Sequence, residues 1–278
     1  MSASVRLSVS DTTAQLVSDP LGGTILMIDG REQSHVDLAD PTAIRHEYLR
    51  RIAHLVDTAA PAGEPISVLH LGAGALTLAR YVQAVRPGSE QTVVELEREL
   101  VTFVLDALPL PAGTRLAAIT GDAREAVLGM GSARFDLIVL DVFSGADSPA
   151  HLACEEFSAL CLGRLTDRGV LAVNIGDDEG LRFWAGQALD LADAADAAGA
   201  PGVWTLADAA LVRDLAEGNL VLAAGPGVST EVCDDDELED VVESWMRGGP
   251  HPATVLDPDE TEELAERIAA TSPPRSAA

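Results

Sequence analysis

Glycine and acidic residues stand at the ends of four successive apolar runs in the middle of the chain. Gly72 and Gly74 follow SVLHL, Glu95 ends TVVE, Asp122 comes soon after RLAAIT, and Asp141 ends FDLIVLD. Glycine in a strand-to-helix turn lets the backbone approach a ligand closely, and a carboxylate at the next strand end can accept both hydroxyls of a ribose. The set predicts a nucleoside site, with Asp122 facing an adenine amine and Asp141 beside the same crevice.

The glycine turn departs from the dinucleotide fingerprint G-x-G-x-x-G/A. Its sixth position is Thr77, which argues against a bound pyrophosphate, whereas Glu95 lies 21 residues after Gly74, a spacing that suits ribose recognition. An S-adenosylmethionine-type nucleoside has no pyrophosphate and fits this combination. Each acidic residue taken alone could equally be an ordinary helix cap.

An alternating pattern of strands and helices must position these residues. Seven apolar runs follow Pro65, and helical segments separate the first five: ISVLHL, QTVVEL, RLAAIT, FDLIVLD, GVLAVNI, GVWTL and GNLVLAAG. Strands buried on both faces have such continuous apolar sequences. The pattern predicts an α/β fold, a Rossmann-like, doubly wound and mostly parallel sheet, whose final pair of strands could include an antiparallel one.

The pattern also divides the chain into four segments. Residues 1–40 contain short β-like pieces between turn signals and predict a small β-hairpin unit. Residues 41–225 form the nucleoside-binding domain, beginning with a helix that Asp40 would cap. Residues 226–270 predict an acidic helical extension with Asp257 as the cap of its last helix, and residues 271–278 a disordered tail.

Composition limits the possible partners and compartment. The net charge of -27 would repel nucleic acid, although an acidic surface could attract a small cationic amine. The three cysteines match neither a zinc site nor a disulfide framework, and the acidic residues give no sign of a metal site. Without a signal peptide or a long apolar segment, the protein is expected in the cytoplasm, away from membranes.

Six short motifs occur in the order IDGREQ, RHEYLRRI, LGAGALTLAR, VVELE, GDAREAV and FDLIVLD…EEF. Over roughly residues 20–175 this order resembles the spermidine synthase family of aminopropyltransferases. The resemblance implies a methyltransferase-type fold after an N-terminal β unit, a homodimer, a role in polyamine biosynthesis, and no metal. Decarboxylated S-adenosylmethionine or S-adenosylmethionine would be the donor. The residues that it implies for binding are Gln33, His46, Gly72, Gly74, Glu95, Asp122, Ala123 and Asp141.

Two carboxylates of the family pattern are missing. Ala75 stands where the glycine loop normally carries aspartate, and Ser144 stands where a second aspartate normally follows Asp141 by three residues. One anion would hold the ammonium of the donor, and the other would position the attacking amine and take its proton. The candidate catalytic residues are therefore Asp141 and Asp147, although SGADSP around Asp147 also reads as a turn. Restoring both carboxylates is expected to raise the rate of aminopropyl transfer.

Three functions remain open on these residues. The first is aminopropyl transfer to a polyamine, in which Glu47 would complete the family's His-Glu pair after His46 or else be a helix-surface carboxylate. The second is methyl transfer at the same site, because an aspartate at position 75 would repel the carboxylate of intact S-adenosylmethionine and Ala75 would not. The third is a nucleoside-binding protein without catalytic activity.

Overall fold

The computed structural model describes residues 3–144 and 148–271, and strands alternate with helices along them, which confirms the α/β class. The chain divides into two compact units at the bond between Asp141 and Val142. The elements of the first unit are β1 (Ala3–Arg6), β2 (Thr13–Ser18), β3 (Thr24–Ile28), β4 (Arg31–Val36), α1 (Glu47–Thr58), β5 (Ser67–Leu71), α2 (Thr77–Val85), β6 (Glu90–Glu95), α3 (Arg98–Ala107), β7 (Arg115–Thr120), α4 (Ala123–Gly129) and most of β8 (Phe135–Ser144).

The predicted N-terminal hairpin unit is a four-stranded antiparallel meander in the order β1-β2-β3-β4. Asp29 and Gly30 connect β3 to β4, and both have positive φ angles, 50° and 77°. A two-residue hairpin loop needs this geometry in a type I′ turn, which explains the Asp-Gly pair. One face of the meander buries Ala14 and Leu26 completely.

Four parallel strands in the order β8-β5-β6-β7 carry the predicted strand-end residues. β5 lies in the middle, where His70 is opposite Val93 of β6 and Val139 of β8. The helices between these strands are the long crossovers that parallel neighbours require. Because the strands are parallel, their carboxyl ends share one edge, and this edge brings the glycine turn near Glu95 and Asp141.

The second unit is built on antiparallel strands in the order β12-β10-β11-β9. The sequence pointed to one antiparallel strand here, and the antiparallel part is larger because only residues 209–217 connect β10 to β11, too few for a parallel crossover. The four-residue strand β12 was not predicted. The elements are α5 (Glu155–Leu162), β9 (Leu165–Asp177), α6 (Arg182–Ala197), β10 (Val203–Asp208), α7 (Ala209–Asp214), β11 (Gly218–Ala224), α8 (Asp235–Gly248), β12 (Ala253–Leu256) and α9 (Pro258–Thr271).

Two predicted helix caps have different outcomes. Asp257 caps α9 as expected: it accepts a hydrogen bond from the Glu260 backbone N–H at 2.8 Å, and Glu260 accepts one in return at 3.2 Å. Asp40 does not cap α1, which begins seven residues later at Glu47. Asp40 instead accepts bonds from the backbone N–H and the hydroxyl of Thr42, at 3.0 and 2.6 Å. This local turn competes with helix formation, so the helix starts only after it.

A helix that crosses a lipid bilayer needs about 20 mostly apolar residues. The helix α6, with 16 residues, is shorter than a membrane span. Throughout residues 3–144 and 148–271, no helix combines the length and the apolar character needed to cross a membrane.

A buried arginine donates hydrogen bonds to the last carbonyls of α1. The Arg86 guanidinium is 1% exposed and donates hydrogen bonds to five backbone carbonyls, at distances of 2.6 to 2.9 Å. Two of these carbonyls, those of Val56 and Asp57, belong to the last turn of α1, whose carbonyls lack partners within the helix. Arg86 therefore holds the connection between α1 and β5, and with it the start of the central strand.

We expect the substitution Arg86→Met to lower the free energy of unfolding by about 3 kcal/mol or more, because it leaves several buried carbonyls without a donor. Chemical denaturation followed by circular dichroism measures this difference. Arg115→Met is the matched control, since Arg115 is exposed and pairs with Glu90 on the surface, where an ion pair contributes less than about 1 kcal/mol. Equal stability of the two variants would contradict the structural role of Arg86.

Candidate functional site

Glu95 is bonded directly to the glycine turn. One carboxylate oxygen of Glu95 accepts the backbone N–H of Ala73 at 3.0 Å, and the other accepts that of Glu97 at 2.9 Å. Partial burial raises the pKa of Glu95, and the two backbone N–H donors offset part of this effect. The Gly72 N–H continues the pairing by donating to the Val94 carbonyl at 2.9 Å. The turn after β5 and the end of β6 thus form one rigid corner.

The other side of the turn is fixed by β4. The Ser34 hydroxyl accepts the backbone N–H of Ala75 at 3.1 Å, and the Thr77 hydroxyl donates to the His35 carbonyl at 2.9 Å. Gly74 has a φ angle of +47°, and a Cβ atom there would lie 2.5 Å from the Ser34 oxygen. Glycine is therefore required at position 74 both by the backbone conformation and by the closeness of β4.

A cavity of about 430 Å³, including its open mouth, lies beside this turn within the first unit. Its wall is formed by residues of β4, α1, β5, the glycine turn, the start of α2, and β8. Aliphatic groups such as Leu49 and Val139 alternate with polar ones. A cleft lined by aliphatic groups together with a few convergent polar ones is typical of a small-molecule site. The polar side chains that line it are Ser34, Tyr48, His70, Thr77 and Asp141.

A hydrogen bond links α1 to the end of β8 in the cavity wall. The Tyr48 hydroxyl donates to Asp141 Oδ2 at 3.3 Å, and burial together with the negative charge of Asp141 raises the pKa of Tyr48. Tyr48 therefore stays protonated and orients the carboxylate. The His46 ring packs edge-on against Tyr48 with centroids 6.0 Å apart, and its Nε2 lies 3.5 Å from a carboxylate oxygen of Glu32.

Three residues of this wall were missed by the sequence reasoning. Ser34 and Tyr48 follow ordinary strand and helix patterns, so nothing in the sequence separates them from neighbouring residues. His70 could have been identified from the sequence, because it is the one ionisable residue within the otherwise apolar stretch VLHL. It is 5% exposed, and burial lowers its pKa to about 4.

Five of the predicted binding residues lie at or near the cavity. Gly72, Gly74 and Asp141 line it, and Glu95 is joined to it through the glycine turn. His46 immediately precedes α1, where burial lowers its pKa and the charges of Glu32 and Asp141 partly offset the shift.

The remaining predicted residues do not line the cavity. Gln33 is exposed on β4. Asp122 caps α4 by accepting the Glu125 backbone N–H at 3.1 Å, and Ala123 is buried as the first residue of that helix. Glu47 is exposed in the first turn of α1 and forms an ion pair with the buried Arg51.

The substituted family position lies at the end of β8. Ser144 is the last residue of that strand. Asp147 lies outside the residues that the structure describes, so its role as a catalytic group stays a prediction from the sequence.

Ala75 does not face the cavity. It is completely buried and belongs to an apolar cluster that includes Leu7, Leu26 and Val36. The expectation that an aspartate at this position would point toward a donor is therefore at odds with the structure. The side chain of residue 75 points into a core in which the N-terminal meander packs on α2, and a carboxylate there would lose its hydration.

The acidic residues and the thiols show no grouping around a metal. Over the described ranges, no three His, Cys, Asp or Glu side chains are close enough to hold a metal ion together. The three cysteines are free thiols; Cys161 is buried in α5, while Cys154 and Cys233 are half-buried.

Comparisons with known proteins place this geometry in context. No family model and no curated protein matches the sequence. A probable spermidine synthase from Corynebacterium glutamicum ATCC 13032 is similar in structure, with a TM-score of 0.81 and 26% identity, over 100% of this chain and 98% of that chain. The spermidine synthase from Thermotoga maritima shares the fold at a TM-score of 0.61 and 15% identity, over 96% of this chain and 87% of that chain.

Human methyltransferase-like protein 13, solved in complex with SAH, shares the fold more distantly. Its TM-score is 0.54 with 18% identity, over 72% of this chain and 89% of that chain. The fold is thus the Rossmann-like, methyltransferase-type α/β fold with the additional N-terminal β unit. The full-length similarity to the Corynebacterium glutamicum structure and the order of the motifs agree, and the chain is a divergent, spermidine synthase-like protein.

Proposed function

We propose that the chain is a transferase whose donor is an adenosyl sulfonium compound, decarboxylated S-adenosylmethionine, and whose acceptor is a small amine. The observation that carries the proposal is the connected arrangement of Glu95, the glycine turn and Asp141 around one cavity. Glu95 would accept the ribose hydroxyls, and the tail of the donor would extend into the cavity toward Asp141.

Structures with the same fold support an adenosyl ligand. A spermidine synthase that is similar to this chain, with a TM-score of 0.63 and 15% identity over 95% of this chain and 87% of that one, was solved with the transition state analogue AdoDATO. The methyltransferase-like protein was solved with SAH. Both ligands contain an adenosyl group, and the corner formed by β5 and β6 suits its ribose.

In the proposed reaction, a neutral amine nitrogen attacks the carbon of the aminopropyl group that is bonded to sulfur. The new C–N bond forms as the C–S bond breaks, and the electron pair of that bond passes to the sulfonium, which leaves as the neutral thioether methylthioadenosine. The carboxylate of Asp141, oriented by Tyr48, would hold the amine and accept the proton that it loses.

Methyl transfer at the same site is the second candidate. It is favoured by the glycine turn, residues 72–76, because no side chain of the turn has a negative charge that would repel the carboxylate of S-adenosylmethionine. Calorimetric titration with decarboxylated S-adenosylmethionine, S-adenosylmethionine and methylthioadenosine separates the candidates. Preference for the decarboxylated donor supports aminopropyl transfer, preference for the intact one supports methyl transfer, and no binding of any of the three would exclude both.

We expect Glu95→Gln to weaken the binding of methylthioadenosine at least about tenfold, because the amide offers the ribose one uncharged acceptor oxygen where the carboxylate offers two charged ones. Glu90→Gln is the matched control at the exposed beginning of the same strand, and it should leave the affinity unchanged. Calorimetry on both variants, with thermal melting to verify the fold, measures the difference. An unaltered affinity of Glu95→Gln would remove Glu95 from the site.

We expect the natural chain to form spermidine from putrescine and decarboxylated S-adenosylmethionine slowly. Asp141 would have to position the amine and accept its proton without the second carboxylate of the family pattern, which Ser144 replaces, and the loss of such a group costs about 10² to 10⁴-fold in rate. Mass spectrometry of the reaction mixture checks this, and Asp141→Asn should abolish the residual rate. Efficient turnover by the natural chain would show that another carboxylate, such as Asp147 or Glu47, completes the site.

Ala75→Asp should destabilise the protein by several kcal/mol instead of improving catalysis, because it places a carboxylate in the apolar cluster around Leu26. Denaturation curves compare it with Ala43→Asp, which adds the same charge at an exposed position. A stable Ala75→Asp variant with tighter donor binding would mean that residue 75 can reach the cavity after all.

A further inference from the structure

The hydrogen-bond network around His70 determines which ring nitrogen carries its proton. The side-chain amide of Gln91 donates to the Ala79 carbonyl at 3.1 Å, which leaves the Gln91 oxygen to face His70 Nε2 at 2.9 Å. An oxygen acceptor at this distance requires a hydrogen on Nε2. His70 Nδ1 is then the nitrogen with a lone pair, an acceptor on a residue that lines the cavity.

The charges of the cavity indicate what kind of group this acceptor would meet. Among the thirteen described residues of the cavity wall, Asp141 has the one formally charged side chain, and that charge is negative. Burial lowers the pKa of His70 to about 4, so at neutral pH its ring adds no positive charge. A carboxylate and a neutral imidazole acceptor in one cavity favour a ligand group that is cationic and rich in hydrogen-bond donors, such as a protonated primary amine.

We propose that His70 is a specificity-determining residue, which accepts through Nδ1 a hydrogen bond from the ammonium group of the bound donor. The inference rests on the proposed function, because it takes the adenosyl ligand as given and names the group that occupies the inner part of the cavity. His70 would then be a neutral hydrogen-bond acceptor for the ammonium of the donor. Residue 75 cannot hold this ammonium, because its side chain points into the core. The alternative is that His70 has only a structural role, its hydrogen bond to Gln91.

Two ligands that share a nucleoside separate these roles. Decarboxylated S-adenosylmethionine is a sulfonium whose aminopropyl chain ends in an ammonium, and methylthioadenosine is the neutral thioether without that chain. The sulfonium charge enters the ratio of their affinities in the natural protein and in the variant alike, so the change in this ratio reports on His70. The variant His70→Leu/Gln91→Leu removes both members of the buried hydrogen bond, so neither is left unsatisfied. We expect the ratio of the two affinities, decarboxylated donor over methylthioadenosine, to fall at least about tenfold in this variant. An unchanged ratio would overturn the inference.

The outcome also distinguishes failure of the inference from failure of the proposed function. If the natural protein binds neither ligand, the proposed function fails and this inference fails with it. If it binds both and the variant keeps their ratio, the adenosyl site stands and only the role of His70 is lost.

A second measurement needs no substitution and decides the matter if the variant does not fold. In the ¹⁵N spectrum of the natural protein, we expect decarboxylated S-adenosylmethionine to shift the His70 Nδ1 resonance toward that of a hydrogen-bonded acceptor, and methylthioadenosine to leave it in place. Identical spectra with the two ligands would refute the role proposed for His70.

Discussion

The turn that follows β5 is held from both sides, and the arrangement of the site depends on this. On one side Glu95 accepts the Ala73 N–H, and on the other Ser34 accepts the Ala75 N–H. Two elements far apart in the chain, β4 and β6, therefore fix the same few residues of backbone. The glycine at position 74 is what allows β4 to come this close. The N-terminal meander is thus part of the site as well as part of the fold.

The described wall of the cavity has one formal charge although the chain has many. Most acidic residues of the protein lie on the surface, where water solvates them. In the cavity wall, burial keeps Tyr48 protonated and His70 neutral, so Asp141 has the one formally charged side chain among the described lining residues. The electrostatic character of the site therefore comes from one carboxylate.

Strands and their ends could be predicted from the sequence, whereas the partners of individual side chains could not. The seven apolar runs correspond to β5–β11 because strands covered on both faces require continuous apolar sequence, with the exception of β7, an edge strand whose residues are mostly exposed. The bonds between Tyr48 and Asp141, 93 residues apart, and between His70 and Gln91, 21 residues apart, depend on strand register and helix placement. A local turn at Asp40 also overrode the pattern expected for the start of α1.

The position of Ala75 has a consequence for how such a protein can change over generations. A small residue in a close-packed interior has neighbours fitted to its volume, here Leu7 and Leu26 among them. An acidic group at that position requires these neighbours to change as well, because a larger side chain overpacks the cluster. A change of chemistry at the site therefore disturbs the fold less at residues that line the cavity than at Ala75.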